Sequence, residues 1–464
     1  MSSWRTRERA LTGPDCFMRA FDLEAHRFHG AGHVSQLVLR LGSGFDVAAF
    51  RVLLADVARA TPVLHAPVGR PFGIAPPAYR LGRAARAPLP CVAVHEDDRE
   101  RPADLPLVLR ARLNGRLAME RGELLRCDVV RYRGGDSDVV LTWAHLLLDG
   151  AGSELFVRQL DACFRGAAAP ALDPATATPP AVAPSLAERG RLARRWQAHL
   201  TSFGAAPPHS LGGPRRRQPQ ALDYDVRTLS HADTAAVVER AAAVAGALTP
   251  ALFYLAATMR AHDAVFAARG GDPGHYVVPL PVNLRPRSAH GAMFQTNVAL
   301  LWFHVARRHV GDLAGLVAEL ARQRREAIRA GLLEASTAAM DLLRWAPARL
   351  HTWIARRGLG GEIASFYFAF TGEFLPGLTT FCGAEIANGF HVPSVMPSPG
   401  SSVIMSIRAG RLNVAHIYQG NAVTADERRV LQERLLDDLR GAHLEAKSGA
   451  HGAGAETLPL RSSA

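Results

Sequence analysis

The 464 residues exceed one ordinary domain, and a 48% hydrophobic share is enough for a sizeable core, yet no apolar run reaches the roughly 18 residues of a membrane span. The net charge of +12 is carried almost wholly by arginine: Lys447 is the only lysine, which excludes a lysine Schiff base and a lysine-bearing phosphate loop. The five cysteines are scattered without C-x-x-C or zinc spacing, and Met1 to Asp15 lacks an apolar signal core, so a cytoplasmic chain without a metal site is expected.

His26, His29 and His33 form H-x-x-H-x-x-x-H in what reads as a loop entering a strand, and tunnel-lining or surface histidines are expected there rather than a metal site. Leu37 to Leu41 reads as a strand, and Asp46 as the N-cap of a helix over Val47 to Ala60. Leu124 to Tyr132 and Asp138 to Trp143 read as a hairpin joined by the glycine turn Arg133 to Asp136. That hairpin delivers the chain to His145-Leu146-Leu147-Leu148-Asp149-Gly150, and an amphipathic helix from Ser153 to Phe164 follows. A histidine at the end of a buried strand, on rigid backbone beside a glycine turn, is well placed for proton transfer. Gly150 and Gly152 read as the residues that let the chain turn into the helix.

From Gly166 to Ser185 the composition shifts to Ala, Pro and Thr, the signature of a linker. A short helix, Leu186 to Ser202, separates it from a second Pro-rich stretch that contains Arg215-Arg216-Arg217. Beyond it, Tyr224 to Leu229, Tyr276 to Val282, Val298 to Val305, Ser365 to Phe370, Ser402 to Ile407 and Arg411 to Tyr418 read as strands. Helices are expected over Asp233 to Ala245, Pro250 to Ala268, Asp312 to Ala330, Ser336 to Arg356 and Thr424 to Leu444. Within the fourth of these, Leu342, Trp345, Leu350 and Trp353 with Arg344 and Arg349 make an arginine-rimmed apolar face, whose default is core packing and whose alternative is a membrane surface or a carrier protein. Hairpins interrupted by long helices point to an α+β chain with mixed sheets rather than a βαβ repeat. The expected division is a lobe over 1–165, a Pro-rich inter-lobe region over 166–220, a second lobe over 221–446 and a polar tail over 447–464. Neither Gly30-Ala31-Gly32 nor Gly358 to Gly361 completes a dinucleotide fingerprint, and the arginines do not interleave with exposed aromatics as nucleic-acid binding needs.

With its element order, Ala144-His145-Leu146-Leu147-Leu148-Asp149-Gly150 resembles the H-H-x-x-x-D-G motif of the coenzyme-A-dependent acyltransferase superfamily. That group includes chloramphenicol acetyltransferase, nonribosomal-peptide condensation domains, wax ester synthase/diacylglycerol acyltransferases and polyketide-associated acyltransferases. Phe45 to Leu64, Pro281 to Arg285 and Ala409 to Leu412 are similar to its first helix, its arginine-bearing strand and its late hairpin. The resemblance implies two chloramphenicol-acetyltransferase-like lobes in a V around a central tunnel. His145 would be general base, and Asp149, with Gly150, would fix the loop through an arginine, Arg285 first and Arg287 second. Thr371 is the candidate oxyanion donor, and Trp143 and Asn283 are tunnel candidates.

The implied co-substrate is an acyl-CoA or a phosphopantetheinyl carrier protein, with no bound cofactor and a small alcohol or amine as acceptor. The arginine excess is compatible with CoA or an acidic acyl or peptidyl carrier protein, although unclustered charge is commonly a solvated surface. Ala144 replaces the family's first histidine, and no D-F-G-W-G-like motif is present. Three readings follow: an acyltransferase of lipid or secondary metabolism, a freestanding condensation enzyme, and a non-catalytic carrier-binding homologue.

Overall fold

The strand Val34–Leu41, buried except at half-buried Arg40, lies inside the largest sheet with a strand on each edge, and Leu37, Val38 and Leu39 put apolar side chains on both faces. The computed structural model describes residues 8–71, 75–168, 185–204, 206–212, 221–285, 293–357, 362–396 and 398–441. Arg215 to Arg217, Arg287, the glycines at 358, 360 and 361, and the tail with Lys447 lie outside them.

Among the described residues the largest sheet has six strands, in the order Thr380–Phe381, Ala384–Pro393, Val34–Leu41, Ser137–Ala144, Leu125–Tyr132 and Val92–Asp97. Leu37 pairs with Leu141 across one antiparallel ladder and Phe390 with Val38 across the other. A second sheet orders Tyr367–Glu373, Ser401–Arg408, Arg411–Gln419 and Leu222–Thr228, and His275–Asn283 pairs antiparallel with Val298–Ala306. The helices Pro250–Ala268, Leu313–Arg329 and Ala425–Arg440 cover the C-terminal sheet, closing a core built from Phe253, Leu316, Val403 and Leu431. The architecture is α+β with mixed sheets in two lobes, as expected.

Three elements differ from the sequence reading. The stretch holding His26 and His29 is a helix, Gly13–His29, not a loop. Thr12 and Asp15 close a reciprocal capping box, and a proline sits in its first turn. The helix expected over Ser336 to Arg356 is two, Leu332–Leu343 and Ala348–Arg357. Pro347 lacks an N–H and disfavours helical backbone before it, and Arg70 donates to the carbonyls of Arg344, Trp345 and Ala346 at the break.

Finally, Ala384–Pro393 is a strand that the sequence reading did not contain. Its alternation is broken at a bulge between Ile386 and Asn388, and Gly389 is forced by crowding: a Cβ there would stand 2.5 Å from the Phe374 ring. The segment 221–446 therefore gives this strand and Thr380–Phe381 to the N-terminal sheet, so the second lobe is not one continuous stretch of chain.

Candidate active site

The strand Ser137–Ala144 stops where its partner Val34–Leu41 begins, and His145 follows, its N–H donating to the His33 carbonyl at 3.1 Å. The next three residues, Leu146 to Leu148, are buried and pinned from two sides. Tyr79 Oη donates to Leu146 O at 3.2 Å and Trp143 Nε1 donates to Leu148 O at 2.7 Å. Trp143 is fully buried in the N-terminal core and does not reach the cavity; it braces the loop from behind, which corrects its assignment to a tunnel wall.

Asp149 is the N-cap of the helix Gly150–Phe164, its Oδ1 accepting from Gly152 N–H at 2.7 Å. Its Oδ2 reaches across the lobes, accepting from Asn297 N–H at 2.8 Å and from Arg285 Nη1 at 2.7 Å. Both side chains of the pair are about 5% exposed, so the carboxylate is neutralised as well as hydrogen-bonded. Arg285 Nη2 also donates to Gln295 O at 3.2 Å, and Asp15 Oδ1 accepts from Thr296 N–H at 2.7 Å. Two N-terminal carboxylates, one at each helix start, thus clasp the stretch 295–297 of the other half.

Gly152 stands at the contact: a Cβ there would lie 2.6 Å from Met293 O and 3.2 Å from Arg285 Nη2. Both Gly150 and Gly152 are inside the helix and neither has a positive φ, so close approach, not turn geometry, is what Gly152 supplies.

A cavity of about 350 Å³ opens between the halves, and His145 lines it together with His33 and His391. The His33 and His145 rings stack at 5.1 Å with 17° between their planes. His33 Nδ1 lies 3.0 Å from Ser394 Oγ. Ser153 Oγ donates to Gly150 O at 2.7 Å and lies 2.9 Å from His391 Nε2, which leaves His391 as the donor of that contact and fixes its proton on Nε2.

Burial holds all three imidazoles below their ordinary range. His391 is lowered to about 4 and His33 well below 6.5, each helped by its neighbour His145. His145 is lowered by burial too, partly offset by its own and Leu148's backbone and by the charge of Asp149. Its Nδ1 is buried with no hydrogen-bond partner among the described residues.

Asn283 lines the cavity at the end of its strand, and its Oδ1 accepts from Arg285 N–H at 3.0 Å. Thr371 also lines it, exposed on the strand Tyr367–Glu373. Ala144 is buried at the strand end, so the ring packed beside His145 is His33 instead of a preceding histidine. Much of the remaining wall is apolar, with Phe17, Phe21, Leu300, Trp302, Ile363 and Tyr367.

Sequence reasoning placed His33 only within a group of tunnel-lining or surface histidines, and it missed His391 and Glu154 altogether. His391 was hidden with its strand, whereas Glu154 was in reach: it lies one helical turn beyond Gly150, on the same face.

No family model matches the sequence, and no curated protein matches it. Solved structures share its fold over nearly the whole chain. The first condensation domain of the calcium-dependent antibiotic (CDA) synthetase superposes with TM-score 0.66 at 16% identity, over 93% of this chain and 95% of its own. The trichothecene 15-O-acetyltransferase of Fusarium sporotrichioides gives 0.65 at 12% identity, over 93% and 94%. A starter condensation domain of rhizomide synthetase, in complex with C8-CoA and Leu-SNAC, gives 0.64 at 13%, over 95% of both chains. The chain therefore has the fold of these condensation domains and of this acetyltransferase.

Proposed function

We propose that this chain transfers an acyl group from a thioester, an acyl-CoA or an acyl-carrier protein, to a hydroxyl or amine, with His145 as general base. The observation that carries the reading is a half-buried imidazole on pinned backbone, its pKa lowered by burial, facing a cavity shared by both halves. With Nδ1 buried, Nε2 is the nitrogen assigned to the cavity. Nε2 takes the proton of the acceptor as the acceptor's oxygen or nitrogen bonds to the thioester carbonyl carbon. The tetrahedral oxyanion then collapses, the C–S bond breaks, and the leaving thiolate recovers the proton from His145. No covalent enzyme intermediate is needed, because one chamber holds both reactants.

Thr371 is proposed as a hydroxyl donor to the oxyanion, and Asp149 and Arg285 as the clasp that fixes the loop rather than as acid or base. The acetyltransferase of similar fold supports an oxygen acceptor. The condensation domain with C8-CoA and Leu-SNAC supports a second reading, in which both partners arrive as thioesters.

Incubation with acyl-CoA and with acyl-carrier protein separately, reading thiol release, tests the proposal. His145→Ala is expected to lower the rate by about 10²–10⁴-fold with the fold intact by circular dichroism. An equally active variant removes His145 from the mechanism. No release from either donor by the parent chain, with tight carrier binding, identifies a binding module instead.

A further inference from the structure

The cavity holds a second carboxyl group that lies outside the His145 to Gly150 stretch. Gly150, Ala151 and Glu154 line it together, and the i, i+3 and i, i+4 spacings put both small residues on the helix face that carries Glu154. The space beside Gly150 is open: a Cβ there would meet nothing nearer than the His391 ring at 3.9 Å.

Glu154 Oε2 accepts from Leu375 N–H at 2.8 Å, and Oε1 has no partner among the described residues. Arg158 and Arg408 act on it from a distance, but neither makes an ion pair with it; they donate to the carbonyls of Pro376 and of Leu375 and Leu378. Several buried carboxylates of this arginine-rich chain are neutralised by an ion pair: Asp128 with Arg112 at 2.8 Å, Asp438 with Arg260 at 2.9 Å, Asp149 with Arg285 at 2.7 Å. A buried charge without a partner is costly, and burial accordingly lifts the Glu154 carboxyl to about 7.

We infer that Glu154 is a cation-binding subsite of the cavity, and that it receives an ammonium group carried on an apolar body. The apolar wall of Phe17, Phe21, Trp302 and Ile363 supplies the surface for that body. An ammonium fits better than a guanidinium, because a single open oxygen offers a point contact and not the two-oxygen face a guanidinium fork takes. The inference deepens the acyl-transfer reading and rests on it for the ligand's role: the acceptor is an amine-bearing molecule.

The ligand's charge is testable without any reaction. Calorimetric titration of the whole chain at pH 8 with n-octylammonium chloride and, separately, 1-octanol is expected to show at least tenfold tighter binding of the ammonium. Glu154→Gln keeps an oxygen for Leu375 N–H and is expected to bring the ratio near one, leaving octanol affinity within twofold; His145→Ala keeps the preference. Equal affinities in the parent chain, or a preference that survives in the folded Glu154→Gln variant, overturns the subsite. The parent chain's ranking decides the matter even if that variant does not fold. If thioester turnover proves independent of His145 while the tenfold preference stands, the acyl-transfer reading falls and the subsite remains.

Discussion

Asp149 and Glu154 are five residues apart at the start of one helix, the first buried and the second half-buried, and their surroundings treat them in opposite ways. Asp149 accepts from two backbone N–H groups and an arginine, so both of its oxygens are held. Glu154 accepts one N–H, and burial dominates it. The comparison separates two uses of a carboxyl group. The one inside the recognisable motif holds the molecule together across its halves, and the one outside it is left open to the cavity. A buried acid is structural or available according to how many donors the fold points at it, which residue type alone does not reveal.

The comparison breaks if the two carboxylates respond alike to neutralisation. Asp149→Asn puts an amide against Asn297 N–H and Arg285 and leaves that guanidinium buried, so a loss of about 3–5 kcal/mol is expected in denaturant unfolding. An unchanged midpoint would remove the clasp from the structural account. Glu154→Gln is expected to do the reverse. The folded chain keeps a proton on Glu154 up to about pH 7, which the unfolded chain releases near 4.5, so the parent loses stability as pH rises between those values. The variant should therefore be more stable by about 3 kcal/mol at pH 8, with the two curves converging near pH 4. A variant that is less stable at pH 8 shows that Glu154 has a partner after all.

The two glycines sharpen the same contrast. Gly152→Ala drives a methyl into Met293 O at the clasp and is expected to cost about 1–3 kcal/mol. Gly150→Ala faces the open cavity and should leave the unfolding midpoint unchanged or raise it slightly, since alanine favours a helix interior by up to about 1 kcal/mol. Parallel thermal melts of the two variants check this, and equal losses would show that the cavity face is packed.

Local signals were legible where they were chemical. Asp46 as N-cap, the hairpin into His145 and the helix over Pro250–Ala268 follow from capping residues, turn glycines and apolar period. The helix Gly13–His29 was readable too, since Thr12 and Asp15 stand at capping-box spacing around Pro14. The strand Ala384–Pro393 was not readable: a bulge and a crowding glycine erase its alternation, and the partner that stabilises it is about 350 residues away in sequence.

By itself the sequence determined the strand, loop and helix around His145, the α+β class, and Asp149 and Arg285 as candidate partners, because each rests on short-range chemistry written in neighbouring residues. Tertiary structure alone decided that His33 and His391 stand with His145, that Trp143 is a brace, and that Glu154 has an oxygen to spare. Those properties depend on burial and on which donors arrive from distant segments, and a carboxyl or imidazole takes its charge state from that environment rather than from its place in the chain.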